Sequence, residues 1–345
     1  MPKTNTIISF ILILTANAAI GDPIPSKEEL ISLYEKSIDM PDKAVYTIDS
    51  NQNVEGMEWP ANVTYHFTMY QDGLQKSVNG FERITLKKTS EVIEETNMMS
   101  ILNKRSIMAI SSTHRPVFVY VNSEKDRKKG ENAFYAALGG GIITEGFMIG
   151  LENQRISEYL RTCSNLTMRD KVEDIEGNPT YVIEGQGNQG KIILWLDPAK
   201  RYLPRRVELY KTSESVYYGQ PLASYHSERP ELKDKRIKDY KAISDSINID
   251  DINGIYFITS GRMSESQIFT DGSKFILTSN FNISDISLMP NFDALKPFDI
   301  KVPDGTPVSN GDFPGGKFEV RQGKIVSAGT SFEQIDKTID GLKQQ

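Results

Sequence analysis

The sequence predicts a mainly β protein of the α+β class, in which a large curved antiparallel sheet lies over a few helices. Three observations indicate this fold. Apolar and polar residues alternate over many short segments, glycine-containing turns separate these segments, and only two segments have clear helical spacing. Because two helices cannot cover both faces of such a sheet, the sheet must curl around them or close on itself.

The N-terminal residues have the pattern of a secretory signal peptide. Lys3 supplies a positive charge, residues 7–14 form an apolar core, and Ala16-Asn17-Ala18 matches an A-x-A cleavage site. This core is much shorter than the roughly 20 residues that a membrane-spanning helix needs. We therefore expect residues 1–18 to be a cleaved signal peptide, with export most simply to a bacterial periplasm.

Two segments have the capping and spacing of amphipathic helices. Ser26 and Glu29 form a capping box ahead of apolar residues at helical spacing, which are Leu30, Leu33, Tyr34 and Ile38. Ser331 and Gln334 form a second box, and the apolar stripe that follows comprises Phe332, Ile335, Ile339 and Leu342. Each helix needs an apolar surface to pack against.

Most of the chain between these helices reads as antiparallel strand. The apolar residues Val63, Tyr65, Phe67 and Met69 alternate with polar ones, and an Asp72-Gly73 turn follows. Similar turns between β-rich segments are Gly177-Asn178, Asn253-Gly254, Asp271-Gly272 and Gln322-Gly323. Short strands joined by such turns form a meander rather than βαβ crossovers.

Residues 133–151 form an unusually apolar segment, with Glu145 as the one charged residue and five glycines. Three interpretations remain open: a buried apolar loop or short helix, a mobile lid over a cavity, and a membrane-inserted segment. Membrane insertion is the least favoured, because the glycines reduce helix propensity and Glu145 is costly in hydrocarbon.

Composition argues against several classes of protein. The formal net charge of −6 offers no surface for neutralising phosphates, so we expect no nucleic-acid partner. The chain has one cysteine, Cys163, which we expect to be a buried free thiol. His66, His114 and His226 lie far apart in the sequence, so we expect no metal site.

No motif in the sequence indicates catalysis. Gly185, Gly187 and Gly190 match the G-x-G-x-x-G pattern, but a strand follows them where a dinucleotide site requires a helix, so a glycine-rich hairpin is expected. No G-x-S-x-G nucleophile motif is present. Acidic pairs such as Asp250 and Asp251 are typical of a solvated strand face. We therefore expect a protein that is not an enzyme and uses no cofactor.

Two motifs in the second half of the chain resemble a known family. Trp195-Leu196-Asp197-Pro198 is followed by Leu203-Pro204-Arg205-Arg206, and residues 302–308 match V-P-D-G-T-x-V. This pattern resembles the LolA/LolB-like superfamily, and within it the outer membrane lipoprotein-sorting protein group. The resemblance implies an open β half-barrel over helices with a hydrophobic cavity for acyl chains. Residues 19–310 would form this domain, with residues 311–345 as a C-terminal hairpin and helix packed on it.

The resemblance implies a non-catalytic periplasmic carrier that holds acyl chains of lipoproteins or phospholipid. Its partners would be an envelope donor and acceptor, with peripheral or transient membrane contact at most. Arg83 is a candidate for the arginine that holds the lid of the carrier closed. The residues expected to line the cavity or its lid are aromatic or apolar: Trp59, Phe67, Phe118, Tyr120, Phe134, Leu138, Ile142, Ile143, Phe147, Met148 and Trp195.

Two other functions remain open. The same fold also occurs in RseB-like envelope-stress regulators, so the chain could be an envelope sensor or scaffold that binds proteins without carrying lipid. An exported hydrolase is the third possibility, and it requires one of the histidines to lie beside both a serine and a carboxylate.

Overall fold

A computed structural model describes the chain over residues 25–38, 41–56, 61–73, 75–102, 106–111, 119–121, 146, 148, 150–151, 154–217, 219–225, 235–298, 304–310, 318–322 and 324–327. The expected signal peptide and the expected C-terminal helix lie outside these residues. The described residues are mainly β, as the sequence predicts.

The described elements are three helices, two 3₁₀ turns and nineteen strands. The helices are α1 (Lys27–Ser37), α2 (Ile156–Thr162) and the single turn α3 (Phe292–Leu295), and the 3₁₀ turns span Pro198–Lys200 and Leu222–Ser224. The strands in the first half are β1 (Lys43–Glu55), β2 (Ala61–Asp72), β3 (Gln75–Leu86), β4 (Val92–Leu102), β5 (Ser106–Ser111), β6 (Val119–Val121), β7 (Asn165–Met168) and β8 (Glu173–Ile175). The remaining strands are β9 (Asn178–Gly187), β10 (Gly190–Asp197), β11 (Leu203–Lys211), β12 (Val216–Tyr217), β13 (Gln220–Pro221), β14 (Ile237–Ile252), β15 (Ile255–Phe269), β16 (Lys274–Ser287), β17 (Pro307–Asn310), β18 (Phe318–Arg321) and β19 (Lys324–Ser327).

All of the described strands except β12 and β13 join one sheet. Its spatial order is β9-β10-β11-β14-β15-β16-β1-β2-β3-β4-β5-β6-β17-β18-β19, with β7 and β8 on the outer edge of β9. Neighbouring strands are antiparallel, apart from the parallel pair β6 and β17. No described pairing joins β19 to β7 or β8, so the sheet is an open half-barrel and not a closed barrel. The predicted fold class is confirmed.

The tight turns lie where the sequence predicts them. Four of the predicted turn pairs lie where consecutive antiparallel strands meet: Asp72-Gly73, Gly177-Asn178, Asn253-Gly254 and Asp271-Gly272. Gly323 of the fifth pair lies outside the described residues. Asn253 and Gly254 have φ values of 55° and 83°, the left-handed conformation that a two-residue hairpin turn requires. The glycine-rich residues 185–190 form the end of β9, a turn and the start of β10, which confirms the hairpin and excludes a dinucleotide loop there.

Helix α1 begins as the sequence predicts. The Ser26 hydroxyl accepts a hydrogen bond from the Glu29 backbone N–H, and the Glu29 carboxylate accepts one from the Ser26 N–H. The helix buries Leu30 and Tyr34 completely. It packs beside α2, to which it is joined by an ion pair between Glu35 and Arg161 at 2.5 Å. Both helices lie against the same region of the sheet.

The C-terminal hairpin is part of the described structure. Strand β18 pairs with β19, and it also pairs with β17, where Pro307 lies opposite Glu319. The β17–β18 pairing spans the expected boundary between residues 310 and 311. The division of the chain at residues 18 and 310 stays a prediction.

Candidate functional site

One face of the sheet carries the main hydrophobic core. In β10, Ile192, Leu194 and Leu196 point to this face and are fully buried. The same core includes Leu30 and Tyr34 of α1, so the helices cover this side, which we call the covered face. The side chains that alternate with these residues point to the opposite face.

The covered face continues onto the N-terminal strands. Ile48 of β1 pairs with Phe67 of β2, and Met69 of β2 pairs with Val78 of β3. These four side chains belong to the main core and expose no more than 3% of their surface. A continuous apolar surface therefore runs across β1, β2 and β3.

The C-terminal end of the apolar segment 133–151 enters this core. Met148 and Leu151 are 4% and 8% exposed, and the backbone O of Gly146 accepts a hydrogen bond of 2.8 Å from the Ile156 N–H at the start of α2. Gly146 and Gly150 have φ values of +75° and +88°, where side chains other than glycine are strained. The described part of the segment is therefore anchored in the core. Residues 133–145, 147 and 149 lie outside the described residues.

Close packing at both glycines explains why neither position tolerates a side chain. A Cβ on Gly146 would overlap the side chain of Ile38, the residue that ends α1 as its C-cap, and a Cβ on Gly150 would overlap the Tyr240 hydroxyl group of β14. The segment is thus held between α1 and the sheet.

A polar cleft of about 490 Å³ lies at one end of the sheet. Left-handed residues at Ser246 and Asp285 coincide with irregular register in β14 and β16, and such bulges bend strands. The lining side chains come from β11, β14, β15 and β16, and they are Arg205, Asn248, Ile249, Asp250, Ile252, Thr259, Ser260, Asn282, Ile283, Ser284, Asp285 and Ile286. Since Ile249 and Ile283 also belong to the main core, the cleft lies where the core meets solvent.

Arg205 is held rigidly at the back of this cleft. Its Nε donates a hydrogen bond to Asp197 Oδ2 at 2.9 Å, and its Nη1 donates to the backbone O of Ile247 at 3.1 Å. Its Nη2 also donates to Asn178 Oδ1 at 3.2 Å. Because Asp197 already neutralises Arg205, the guanidinium lines the cleft in a fixed position and is not available to bind an anion.

The other polar groups of the cleft form short pairs across the strands. The Thr259 hydroxyl donates to Asp250 Oδ2 at 2.6 Å, and Asn248 Nδ2 donates to the Ser260 hydroxyl at 2.7 Å. These groups can hydrogen-bond a polar part of a ligand. The cleft is not predicted by the sequence. The W-x-D-P and L-P-x-R motifs contain Asp197 and Arg205, but they mark turns and give no sign of a cavity.

The structure places four of the expected ligand-binding residues. Phe67 and Met148 lie in the main core, and Tyr120 lies in β6, between Ile107 of β5 and Ser309 of β17. The other expected residues, apart from Trp195, lie outside the described residues: Trp59, Phe118, Phe134, Leu138, Ile142, Ile143 and Phe147. The binding role of the whole set stays a prediction.

Trp195 lies on the opposite face of the sheet from the main core, and its expected role in binding stays a prediction. It packs with Val182 and Ile193 in a small separate cluster. Its Nε1–H donates to Glu173 Oε2 at 2.9 Å, and the Arg169 and Arg206 guanidinium carbons lie 5.6 and 5.5 Å from its ring centroid. The physical reason is strand alternation. Ile192, Leu194 and Leu196 point to the covered face, and Trp195, which lies between Leu194 and Leu196 in the sequence, therefore points to the opposite face.

Arg83 also has a structural partner. It lies on β3 between Glu82 and Ile84, and its Nε donates to Glu95 Oε2 of β4 at 2.8 Å. Both side chains of this pair are more than 40% exposed. Nothing in the described residues connects Arg83 with the apolar segment.

The described residues contain no cluster of three or more His, Cys, Asp or Glu side chains that could hold a metal ion. His66 Nδ1 lies 2.7 Å from Asp49 Oδ1 and its ring stacks on Phe81, and no described serine hydroxyl bonds to it. His114 and His226 lie outside the described residues. None of the described helices is long and apolar enough to cross a membrane.

Comparison with known proteins gives similarity at the level of structure. No protein-family model and no curated protein sequence matches the chain. A LolA superfamily protein from Nitrosomonas europaea is similar with a TM-score of 0.38 and 15% identity, over 79% of this chain and 97% of that one. A DUF1329 family protein from Desulfovibrio piger has a TM-score of 0.38 and 12% identity, over 76% of this chain and 93% of that one.

Proposed function

We propose that the protein is a non-catalytic carrier that holds the acyl chains of lipoproteins or phospholipid on the covered face of its half-barrel. The proposed site is the apolar surface of β1, β2 and β3, which belongs to the same core as Met148 and Leu151. The signal-peptide pattern of residues 1–18 supports the periplasm as the place where the protein acts.

One observation carries this proposal. The apolar segment is attached at its C-terminal end to the covered face, through Gly146, Met148, Gly150 and Leu151. Such a segment is unfavourable in water, so it needs either the sheet or an apolar ligand as its partner. We infer that an acyl chain could take the place of the sheet as this partner.

The energetics suit a carrier that releases its cargo. Burial of about fifteen methylene groups contributes roughly 12 kcal/mol before the costs of binding. Lost motion of the ligand and displacement of contacts on the covered face reduce this value considerably. The remaining affinity permits transfer between an envelope donor and an acceptor.

The proposal is tested by acyl binding in solution. Native mass spectrometry of the protein purified from a periplasmic extract should show acyl adducts that organic extraction removes. Displacement of a fluorescent fatty acid should weaken in Phe147→Asp, since this change puts a charge into the apolar segment. Val172→Asp is the matched control, because Val172 is 51% exposed in the β7–β8 loop and should leave affinity unchanged. Unchanged affinity in folded Phe147→Asp protein would remove the segment from the binding site.

A second candidate is a sensor or scaffold that binds proteins. It is favoured by the packing beneath the helices, where Leu30, Tyr34 and Leu194 are fully buried. If so, native mass spectrometry should give the mass of the protein without any bound ligand. Neither lipopeptide nor phospholipid should then raise its melting temperature.

A further inference from the structure

The segment that follows β16 is an exposed apolar loop. Residues 288–298, which we call the apolar loop, contain eight apolar residues: Leu288, Met289, Pro290, Phe292, Ala294, Leu295, Pro297 and Phe298. Met289 is 93% exposed and Leu295 is 53% exposed. Large apolar side chains with this much exposure are few among the described residues, and these two lie six positions apart.

The exposure of Met289 and Leu295 belongs to an ordered loop. Asn291 caps the single turn α3 by accepting a hydrogen bond of 3.2 Å from the Ala294 N–H, and Lys296 ends the turn in a left-handed conformation. The Phe292 and Phe298 rings pack edge to face, 5.5 Å apart. The contact between the two phenylalanines thus stabilises the loop, and Met289 and Leu295 take no part in that contact.

The loop lies at the same end of the sheet as the polar cleft. Residues 282–286 of β16 line the cleft, and the chain passes from Ser287 directly into the loop. Ser287 pairs with Val45 at the start of β1, and Lys43 Nζ lies 5.9 Å from the Phe292 ring centroid. The point where α1 leads into β1 is therefore also at this end.

We propose that the apolar loop docks on the surface of a phospholipid bilayer by inserting Met289 and Leu295. Docking places the cleft and the adjoining edge of the covered face at the membrane surface, from which an acyl chain is taken or to which it is returned. This contact goes beyond the proposed carrier function and does not require it, so the two can fail separately.

The shape of the loop favours a bilayer over a protein partner. A stable protein interface buries about 800 Å² on each partner with complementary surfaces, and two protruding side chains do not supply such an area. Lipid tails adapt to protruding apolar side chains without a preformed pocket. Lys43 Nζ lies 5.9 Å from the Phe292 ring centroid, and Lys296 is exposed directly after Leu295. On docking, long lysine side chains such as these can reach lipid phosphates. Asp293 is the one acidic residue of the loop, and its charge balances that of Lys296, so the loop has no net charge.

Vesicle binding tests this proposal with a matched pair of variants. We would measure cosedimentation of the purified protein with vesicles of phosphatidylethanolamine and phosphatidylglycerol. Met289→Asp/Leu295→Asp should reduce partitioning at least about tenfold, because each side chain loses its apolar contact and gains a charge. Val92→Asp/Ile93→Asp is the control, since these residues are 49% and 52% exposed at the opposite end of the sheet, and it should bind as the unmodified protein does. Met289→Leu should retain binding.

Several outcomes would overturn the proposal. The unmodified protein could fail to bind vesicles, or the control variant could lose binding as strongly as the loop variant. A sedimentation shift without vesicles that the loop variant abolishes would assign the loop to a second copy of this chain instead. Displacement of a fluorescent fatty acid in the absence of vesicles should be the same for the loop variant and the unmodified protein, which separates this proposal from the carrier function.

Discussion

Asp197 and Arg205 form a buried ion pair that joins the end of β10 to the start of β11. Arg205 Nε lies 2.9 Å from Asp197 Oδ2, and the two side chains are 10% and 2% exposed. Asp197 Oδ1 also accepts a hydrogen bond of 2.9 Å from the Ala199 N–H, which caps the 3₁₀ turn between the strands. The turn motifs that resemble the lipoprotein-sorting group therefore hold a charge pair at the back of the polar cleft.

Removal of Asp197 should strongly destabilise the protein. Asp197→Ala leaves the Arg205 charge buried without its carboxylate, and such changes cost about 3–5 kcal/mol. Urea denaturation followed by circular dichroism measures this loss. Glu95→Ala is the matched control, because the exposed Arg83–Glu95 pair should contribute no more than about 1 kcal/mol. Equal losses in the two variants would show that Asp197 is accessible to water.

The sequence predicts the sheet well because its signals are local. Alternation and turn residues act over a few positions, so the hairpins at Asn253-Gly254 and Asp271-Gly272 are found without knowledge of the tertiary structure. The capping box of α1 is equally local. The pairing of β1 with β16 is different, since it joins residues more than 200 positions apart and leaves no mark in either strand.

The site is harder to predict because it also depends on contacts between residues far apart in the sequence. The polar cleft depends on bulges at Ser246 and Asp285 that come together only after β14, β15 and β16 have paired. The face of Trp195 depends on the register of β10 against the helices, and aromatic character alone does not determine it. Residue type therefore gives candidates, and register decides which of them share a surface.

Gly150 should be essential for the attachment of the apolar segment. Gly150→Ala strains a backbone with φ of +88° and brings a methyl group into the Tyr240 hydroxyl, so we expect a loss of about 2–4 kcal/mol. Gly272→Ala is the control with a similar φ of +80° and open space around the new methyl group, and it should cost only about 1 kcal/mol. Thermal denaturation of both variants gives the comparison. A Gly150→Ala protein as stable as Gly272→Ala would mean that the segment moves away from Tyr240 at little cost.

Glu82 should make the protein less stable at neutral pH. Burial, together with repulsion from Glu94, raises the pKa of Glu82 above its ordinary value, and a hydrogen bond from Tyr65 opposes this shift. The folded state therefore binds the proton more tightly than the unfolded chain does. Stability is retained below the ordinary glutamate pKa of about 4 and is lost as pH rises through the raised pKa.

Glu82→Gln removes this ionisation, so the variant should be more stable than the unmodified protein at pH 7. The advantage should shrink as the pH falls and should vanish below the ordinary glutamate pKa of about 4, where Glu82 becomes protonated in both states. Urea titrations at several pH values measure the difference. A difference that does not change with pH would show that the substitution acts through packing and not through charge.

Trp195 should support the sheet without contributing to acyl binding. Trp195→Phe loses the hydrogen bond to Glu173 and part of the stacking with Arg169 and Arg206, which should cost about 1–2 kcal/mol. Because the ring lies on the face opposite to the helices, fatty-acid displacement should give the same affinity as in the unmodified protein. Weaker acyl binding in the folded variant would place the ligand on the opposite face.

Cys163 should be a slow nucleophile in the folded protein. It ends α2 with its side chain against Gly185 of β9, and burial raises the pKa of the thiol to about 11. The thiolate is the reactive form, so alkylation by iodoacetamide at pH 8 should be at least about tenfold slower in the native protein than in urea. Cys163→Ser corrects for reaction at other side chains. Equal rates would mean that α2 leaves the sheet readily, and the thiol would then be available for an intermolecular disulfide in an oxidising compartment.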